Sequence, residues 1–161
     1  VNCDPQTGHT VSDSKEWFTT AWTASYGQST TGRIAMICVA RYAQKRQEGY
    51  RQLTLAAADA YLGALPGADG DTWPETLGLA ISTELAAYRI SGKTVYRDGA
   101  RRLGAWAVKA FWGDDSLPRA STRVEHYESI TGADTLALAL LELATVDTAE
   151  ATSVPLNTID R

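Results

Sequence analysis

Between Pro118 and Ser129 the chain reads PRASTRVEHYES, which places Arg119, Arg123, Glu125, His126, Tyr127 and Glu128 on one short segment. Together, guanidinium, imidazole, phenol and carboxylate meet the needs of acid and base work on a carboxylated substrate. An imidazole or phenol moves the proton and an arginine fork holds the carboxylate. His126, Tyr127 and Glu128 are therefore the candidate catalytic groups, and Arg119 and Arg123 the candidate anchors. The plainer reading of His126 is a histidine hydrogen-bonded within a loop, since the segment follows no tight catalytic consensus.

Two other segments have a related composition. SYGQSTTG, DTWPETLG and HYESITG each bring an aromatic and a hydrogen-bonding or acidic residue close to a glycine: Tyr26 and Gln28 before Gly32, Trp73 and Glu75 before Gly78, Tyr127 and Glu128 before Gly132. Aromatic rings cover the apolar face of a pyranose while amides and carboxylates bind its hydroxyls. Tyr26, Gln28, Trp73 and Glu75 are on that ground candidate substrate contacts. The structural alternative is that each aromatic staples the chain to a helix start and each acid caps it.

The elements that must position these groups are helical. Residues 32–65 and 78–111 are two copies of one unit offset by 46 positions, so that Gly32, Tyr42, Tyr50, Arg51 and Ala64 fall on Gly78, Tyr88, Tyr96, Arg97 and Ala110. A period of this size is produced by stacked helical hairpins. The sequence predicts helices from Ser29 to about Arg46, Tyr50 to Leu65, Pro74 to about Ile90 and Thr94 to Trp112, with glycine-containing turns at Gly49 and Gly92. A fifth helix follows Gly132 through the Leu-rich run from Leu136. The first helix of each unit is apolar nearly all round and the second is one-sided, with Leu53, Ala57, Ala60, Tyr61 and Ala64 as the stripe of the first such partner. This predicts an inner and an outer layer of antiparallel helices, an all-α domain over residues 29–145. An aromatic-rich leader over 1–28, with Trp17 and Trp22, caps it, and an irregular tail runs over 146–161. If the inner helices run parallel, the three glycine-linked segments share one mouth. Gly32, Gly78 and Gly132 recur near the inner-helix starts, where close backbone packing or a ligand would favour them.

Composition narrows the partners. The chain has 161 residues and a net charge of -4, and its charges are scattered, which argues against a nucleic-acid surface. No stretch approaches the roughly 20 apolar residues of a membrane span. The start, VNCDPQTGHT, has neither Met nor a signal pattern, so a processed or excised chain is expected. Two distant histidines and two distant cysteines supply no metal-ligand pair, and no phosphate loop, dinucleotide fingerprint or GxSxG elbow occurs, so no metal or cofactor is expected. Cys38 reads as a small buried hydrophobe, and nothing in the pattern demands a disulfide with Cys3.

The units TGRIAMICVARYAQKRQEGYRQLTLAAADAYL and LGLAISTELAAYRISGKTVYRDGARRLGAWAV resemble hairpins of the α/α-toroid carbohydrate-active enzymes, a group of polysaccharide lyases, unsaturated-uronide hydrolases and related glycosidases. The resemblance covers residues 29–145 and lies in repeat style. It implies an active-site mouth where inner helices begin, a polysaccharide or oligosaccharide partner, and a secreted or periplasmic location. For a lyase it implies Tyr127 or His126 as the group abstracting a proton beside a uronate carboxylate, with Arg119 or Arg123 near that carboxylate. A hydrolase would instead use Glu75 and Glu128, and a helical module that binds without turnover is the third reading. A complete toroid has about six hairpins and this chain holds about two and a half, so a partial toroid is expected, completed by another chain or by further hairpins.

Overall fold

Pro74 begins the helix on which the rest of the molecule is assembled, because a proline at the first helical position has no N–H to leave unpaired. The computed structural model describes residues 21–22, 31–67, 70–112 and 117–148. Among them the helices are α1 (Thr31–Lys45), α2 (Glu48–Gly63), α3 (Pro74–Ser91), α4 (Thr94–Phe111) and α5 (Ala133–Thr145). A 3-10 turn at Ser129–Thr131 leads into α5, and there is no strand among the described residues. The chain is all-α there, as its periodicity predicts.

Every residue of α3 from Thr76 to Ala87 is buried. It packs against α1, α2, α4 and α5, and Leu77, Ile81 and Leu85 are fully enclosed, each contributing about 1.5–3 kcal/mol by removal from water. Glycines set the close approaches. A β-carbon on Gly32 would stand 2.7 Å from Leu79 Cβ, and one on Gly78 would stand 2.8 Å from the Leu136 backbone. The start of α1 thus meets the start of α3, and the start of α3 meets the start of α5, so these three helices run parallel with their N-termini at one end. Gly32 also lies against the Tyr61 hydroxyl near the end of α2, and Gly99 of α4 lies against Glu84 of α3, so α2 and α4 run the opposite way. Gly32 and Gly78 are thereby explained by packing. Gly132 is different: it is the N-cap of α5 in the left-handed region, at φ 76°.

Several details differ from the sequence reading. α1 is not apolar all round in its burial, for Ile34 and Ile37 are 56% and 51% exposed while Ala35, Met36, Cys38 and Val39 are buried, Met36 and Val39 against Leu79 and Ala86 of α3. Among the described residues α1 packs against α2 and α3 alone, whereas α3 packs against all four other helices. The buried residues of α2 are Thr54, Ala58 and Tyr61; of the predicted stripe Tyr61 is enclosed and Ala57 and Ala64 are half-buried, while Leu53 and Ala60 are exposed. Thr54 can occupy the buried stripe because its hydroxyl donates to the Tyr50 carbonyl at 2.9 Å. Gly49 lies within the first turn of α2, and the left-handed residue closing α1 is Arg46. At the end of α3 Gly92 fills that role, in the predicted turn.

The far end of the bundle is tied by charge. Glu142 of α5 accepts from Ser82 at 2.8 Å and pairs with Arg89, both of α3, and Asp147 just beyond α5 pairs with Arg97 at 3.3 Å and Arg101 at 2.6 Å. The first residues of the predicted tail are therefore anchored, with Val146 packed on the core. Trp22 is buried with its ring 5.0 Å from that of Tyr61, so it docks on the helical layer as a cap would; Trp17 lies outside the described residues. Cys38 is a buried free thiol whose pKa is raised by that burial, and Cys3 lies outside the described residues.

Candidate functional site

Asp71, in the segment that feeds α3, holds the site's two loops together. Its carboxylate accepts from Ser121 Oγ at 2.7 Å and Thr122 Oγ1 at 2.6 Å, while the Thr72 N–H donates to Thr122 Oγ1 and the Thr122 N–H to the Thr72 carbonyl, both at 3.0 Å. Partial burial alone would raise the Asp71 pKa, but the hydroxyls of Thr122 and Ser121 and the backbone N–H groups of Thr72 and Arg123 outweigh it, and the pKa is lowered. Ser121 Oγ also accepts from the N–H groups of Arg123 and Val124 at 3.2 and 3.1 Å, so one serine both shapes the turn and binds it to the body.

The segment's other anchors are backbone. The Arg119 N–H donates to the Phe111 carbonyl at 2.9 Å and the Ala120 N–H to the His126 carbonyl at 2.8 Å. The chain from Arg119 to His126 is in this way folded into a closed loop. Beyond it, Gly132 packs against the side chain of Glu75, and Glu75 accepts from Arg33 of α1, with Nε at 3.0 Å and Nη2 closing the ion pair. The starts of α1, α3 and α5 therefore meet around Glu75, and the 119–128 loop is fastened beside them through Asp71.

At the loop's outer edge His126 Nε2 and Glu128 Oε1 are 2.6 Å apart. With the Nε2 proton directed at the carboxylate, Nδ1 carries the lone pair. The His126 side chain is 67% exposed, and Tyr127 and Arg123 are exposed as well. Arg119 stands 3.7 Å from Glu125. The structure thus brings Trp73, Glu75, Arg119, Arg123, His126, Tyr127 and Glu128 to one end of the bundle; Trp73 is the half-buried N-cap of α3 and its side chain makes no cap hydrogen bond. Tyr26 and Gln28 lie outside the described residues. Asp71 and Arg33 belong to the same end and were not singled out from the sequence. Nothing local marks Asp71, because its partners are 50 and 51 positions away. No group of three His, Cys, Asp or Glu residues able to hold a metal occurs among the described residues.

Asp71→Asn is expected to loosen this end. An amide keeps one acceptor oxygen where two hydroxyls and the N–H groups of Thr72 and Arg123 now converge, which costs about 1–2 kcal/mol and makes the 119–128 loop the first site of limited proteolysis. The wild-type contribution is present above the ordinary aspartate range and is lost as pH falls through the depressed folded value, so acid loosening of the loop should be absent from the variant. Equal protease resistance in the two proteins would refute the role given to Asp71.

No protein-family model matches the chain, and neither curated proteins nor solved structures give a match. None of the described helices is long and apolar enough to cross a membrane.

Proposed function

We propose that the chain is part of an α/α-toroid carbohydrate-active enzyme that cleaves uronate-containing polysaccharide by elimination at the end where α1, α3 and α5 begin. The observation that carries this reading is the His126–Glu128 pair, 2.6 Å apart and open to solvent on a loop that also holds Arg119, Arg123 and Tyr127. Glu128 orients the imidazole, and Nδ1 takes the proton from the carbon beside the uronate carboxylate. The electrons of that C–H bond form a carbon–carbon double bond as the bond to the glycosidic oxygen breaks, and Tyr127 protonates the departing oxygen. Arg119 or Arg123 neutralises the carboxylate and acidifies the adjacent carbon. Glu75 and Glu128 are already engaged by Arg33 and His126, which favours elimination over hydrolysis by paired carboxylates.

The product of elimination is an unsaturated uronate that absorbs in the ultraviolet, so incubation with polyuronates of several backbones is the assay. His126→Ala should lower the rate about 100- to 10,000-fold with helical circular dichroism unchanged. Wild-type turnover in that variant, or no ultraviolet product from any polyuronate, sinks the proposal. The exposure of His126 favours one other reading, a helical module that binds glycan without turnover, for which the variant alters binding alone.

The same proposal has further hairpins or another chain covering the outward faces of α1 and α5, where Ile34, Ile37 and Leu141 are exposed. Light scattering should give a particle heavier than 17.4 kDa. A monodisperse monomer that binds no apolar dye removes the partial ring.

A further inference from the structure

We propose that the opposite end of the bundle, at the α1–α2 turn, is a second binding surface, one that takes an acidic oligosaccharide. Arg46 is the only non-glycine residue with positive φ among the described residues, at φ 52°. Its N–H donates to the Tyr42 carbonyl at 2.9 Å to close α1, just as the Gly92 N–H donates to the Tyr88 carbonyl at 2.7 Å to close α3, 46 positions later. Glycine adopts this conformation without steric cost and arginine does not. The first turn therefore carries a strained cation where the second has the relaxed residue, and strain of this sort is a pointer to function.

What the strain achieves is visible in the surroundings. The Arg46 guanidinium lies over the Tyr42 ring, 5.3 Å from its centre, which fixes a planar cation at the tip of the turn. Arg41 and Lys45 are exposed beside it, and neither they nor Arg46 has an ion-pair partner among the described residues. Glu48, the single acid between residues 41 and 51, is taken by Arg51 at 2.9 Å. Because α1 and α3 run parallel, the α3–α4 turn lies at this end too and adds the exposed Lys93. Cations near a helix C-terminus complement its dipole, which accounts for Lys45. That effect gives no reason for a charged residue at the left-handed position itself.

A cluster of unpaired cations around half-exposed Tyr42 and Tyr50 matches a ligand with regularly placed anionic groups and apolar ring faces. Its identification as a glycan rests on the proposed function; the anionic requirement does not. The surface would hold the polymer away from the loop that bears His126.

The test is equilibrium binding of the full chain to a fluorescent oligouronate. Arg46→Gly should bind about fivefold or more weakly, equivalent to losing one charge-assisted contact, while its melting temperature rises. Arg46→Asn, which also tolerates the left-handed backbone, should show the same loss, and Lys109→Ala on the outer face of α4 should bind as wild type. Unchanged affinity in both Arg46 variants overturns the proposal, as does equal or tighter binding of polyglutamate or single-stranded DNA. A short uronate substrate keeps the two readings apart. If Arg46→Gly weakens binding while no variant or wild type shows turnover, the catalytic reading fails and this surface stands. Turnover lost in His126→Ala with binding indifferent to Arg46 does the reverse.

Discussion

Glu84→Gln is expected to make the protein more stable at neutral pH and to flatten the dependence of its stability on pH. Glu84 lies at the middle of α3, 0% exposed, with neither carboxyl oxygen hydrogen-bonded. Burial pushes its pKa up to about 8; Arg102 of α4 works against that shift and Asp59 of α2 adds to it. Asp59 is itself bound by the Tyr96 hydroxyl at 2.8 Å, and Tyr96 is pushed up to about 12, first by burial and then by this carboxylate. Between pH 4.5 and about 8 the unfolded chain releases the Glu84 proton and the folded one keeps it, so stability falls as pH rises through that window. At 1.4 kcal/mol per pH unit, the wild type has lost roughly 3 kcal/mol at pH 7 relative to pH 4.5. Glutamine fills the same space without ionising. Urea denaturation at a series of pH values should therefore show the two proteins diverging above pH 4.5, the variant ahead, and parallel curves would exclude a neutral buried acid.

A β-carbon at Gly78 should be nearly as consequential in the other direction. It would stand 2.8 Å from the Cα and N of Leu136 and from the carbonyl carbon of Thr135. Those are backbone atoms of α5 and cannot turn aside as a side-chain tip can. Gly78→Ala must separate α3 from α5, at a cost of about 1–3 kcal/mol. Shifting α5 also moves Gly132 off Glu75, so the 119–128 loop should become more sensitive to protease. Gly49→Ala is the control: nothing lies within 4 Å of its β-carbon, and in a helix alanine gains about 0.5–1 kcal/mol over glycine. If the two variants unfold at the same urea concentration, the tight α3–α5 approach is not maintained in solution.

Helix positions were legible because local chemistry marks them: Pro74 at a first turn, Gly92 at a last one, and apolar residues at helical spacing through α4. Gly32, which stood out near a helix start, marks a close approach, for it meets Leu79 of α3. What stayed hidden depends on partners far along the chain. The face α2 buries is chosen by α1, α3 and α4 packed against it, and a hydroxyl bonded to the Tyr50 carbonyl makes Thr54 as acceptable inside as Leu53. Arg46 gives no local sign of its left-handed backbone, because the nearby Gly49 is the natural candidate for the turn. At the candidate site, the residues on the 118–129 segment were legible as a cluster of chemistry-bearing types. The grip of Asp71 on Ser121 and Thr122 was not, since nothing within the intervening 49 or 50 residues records it.

The enclosure of α3 also orders events in time. Its two flanks are covered by helices drawn from opposite ends of the described chain, α1 before it and α5 after it, and the residues that close the second flank, Leu136 and Glu142, come 58 and 60 positions after their contacts Gly78 and Ser82. A nascent chain that has emerged only as far as α4 already contains the helix that ends up most buried and has nothing to lay over Gly78 and Ser82. The centre of the molecule is thus the last part to become dry, and the interval before α5 appears is when the chain is most exposed to aggregation.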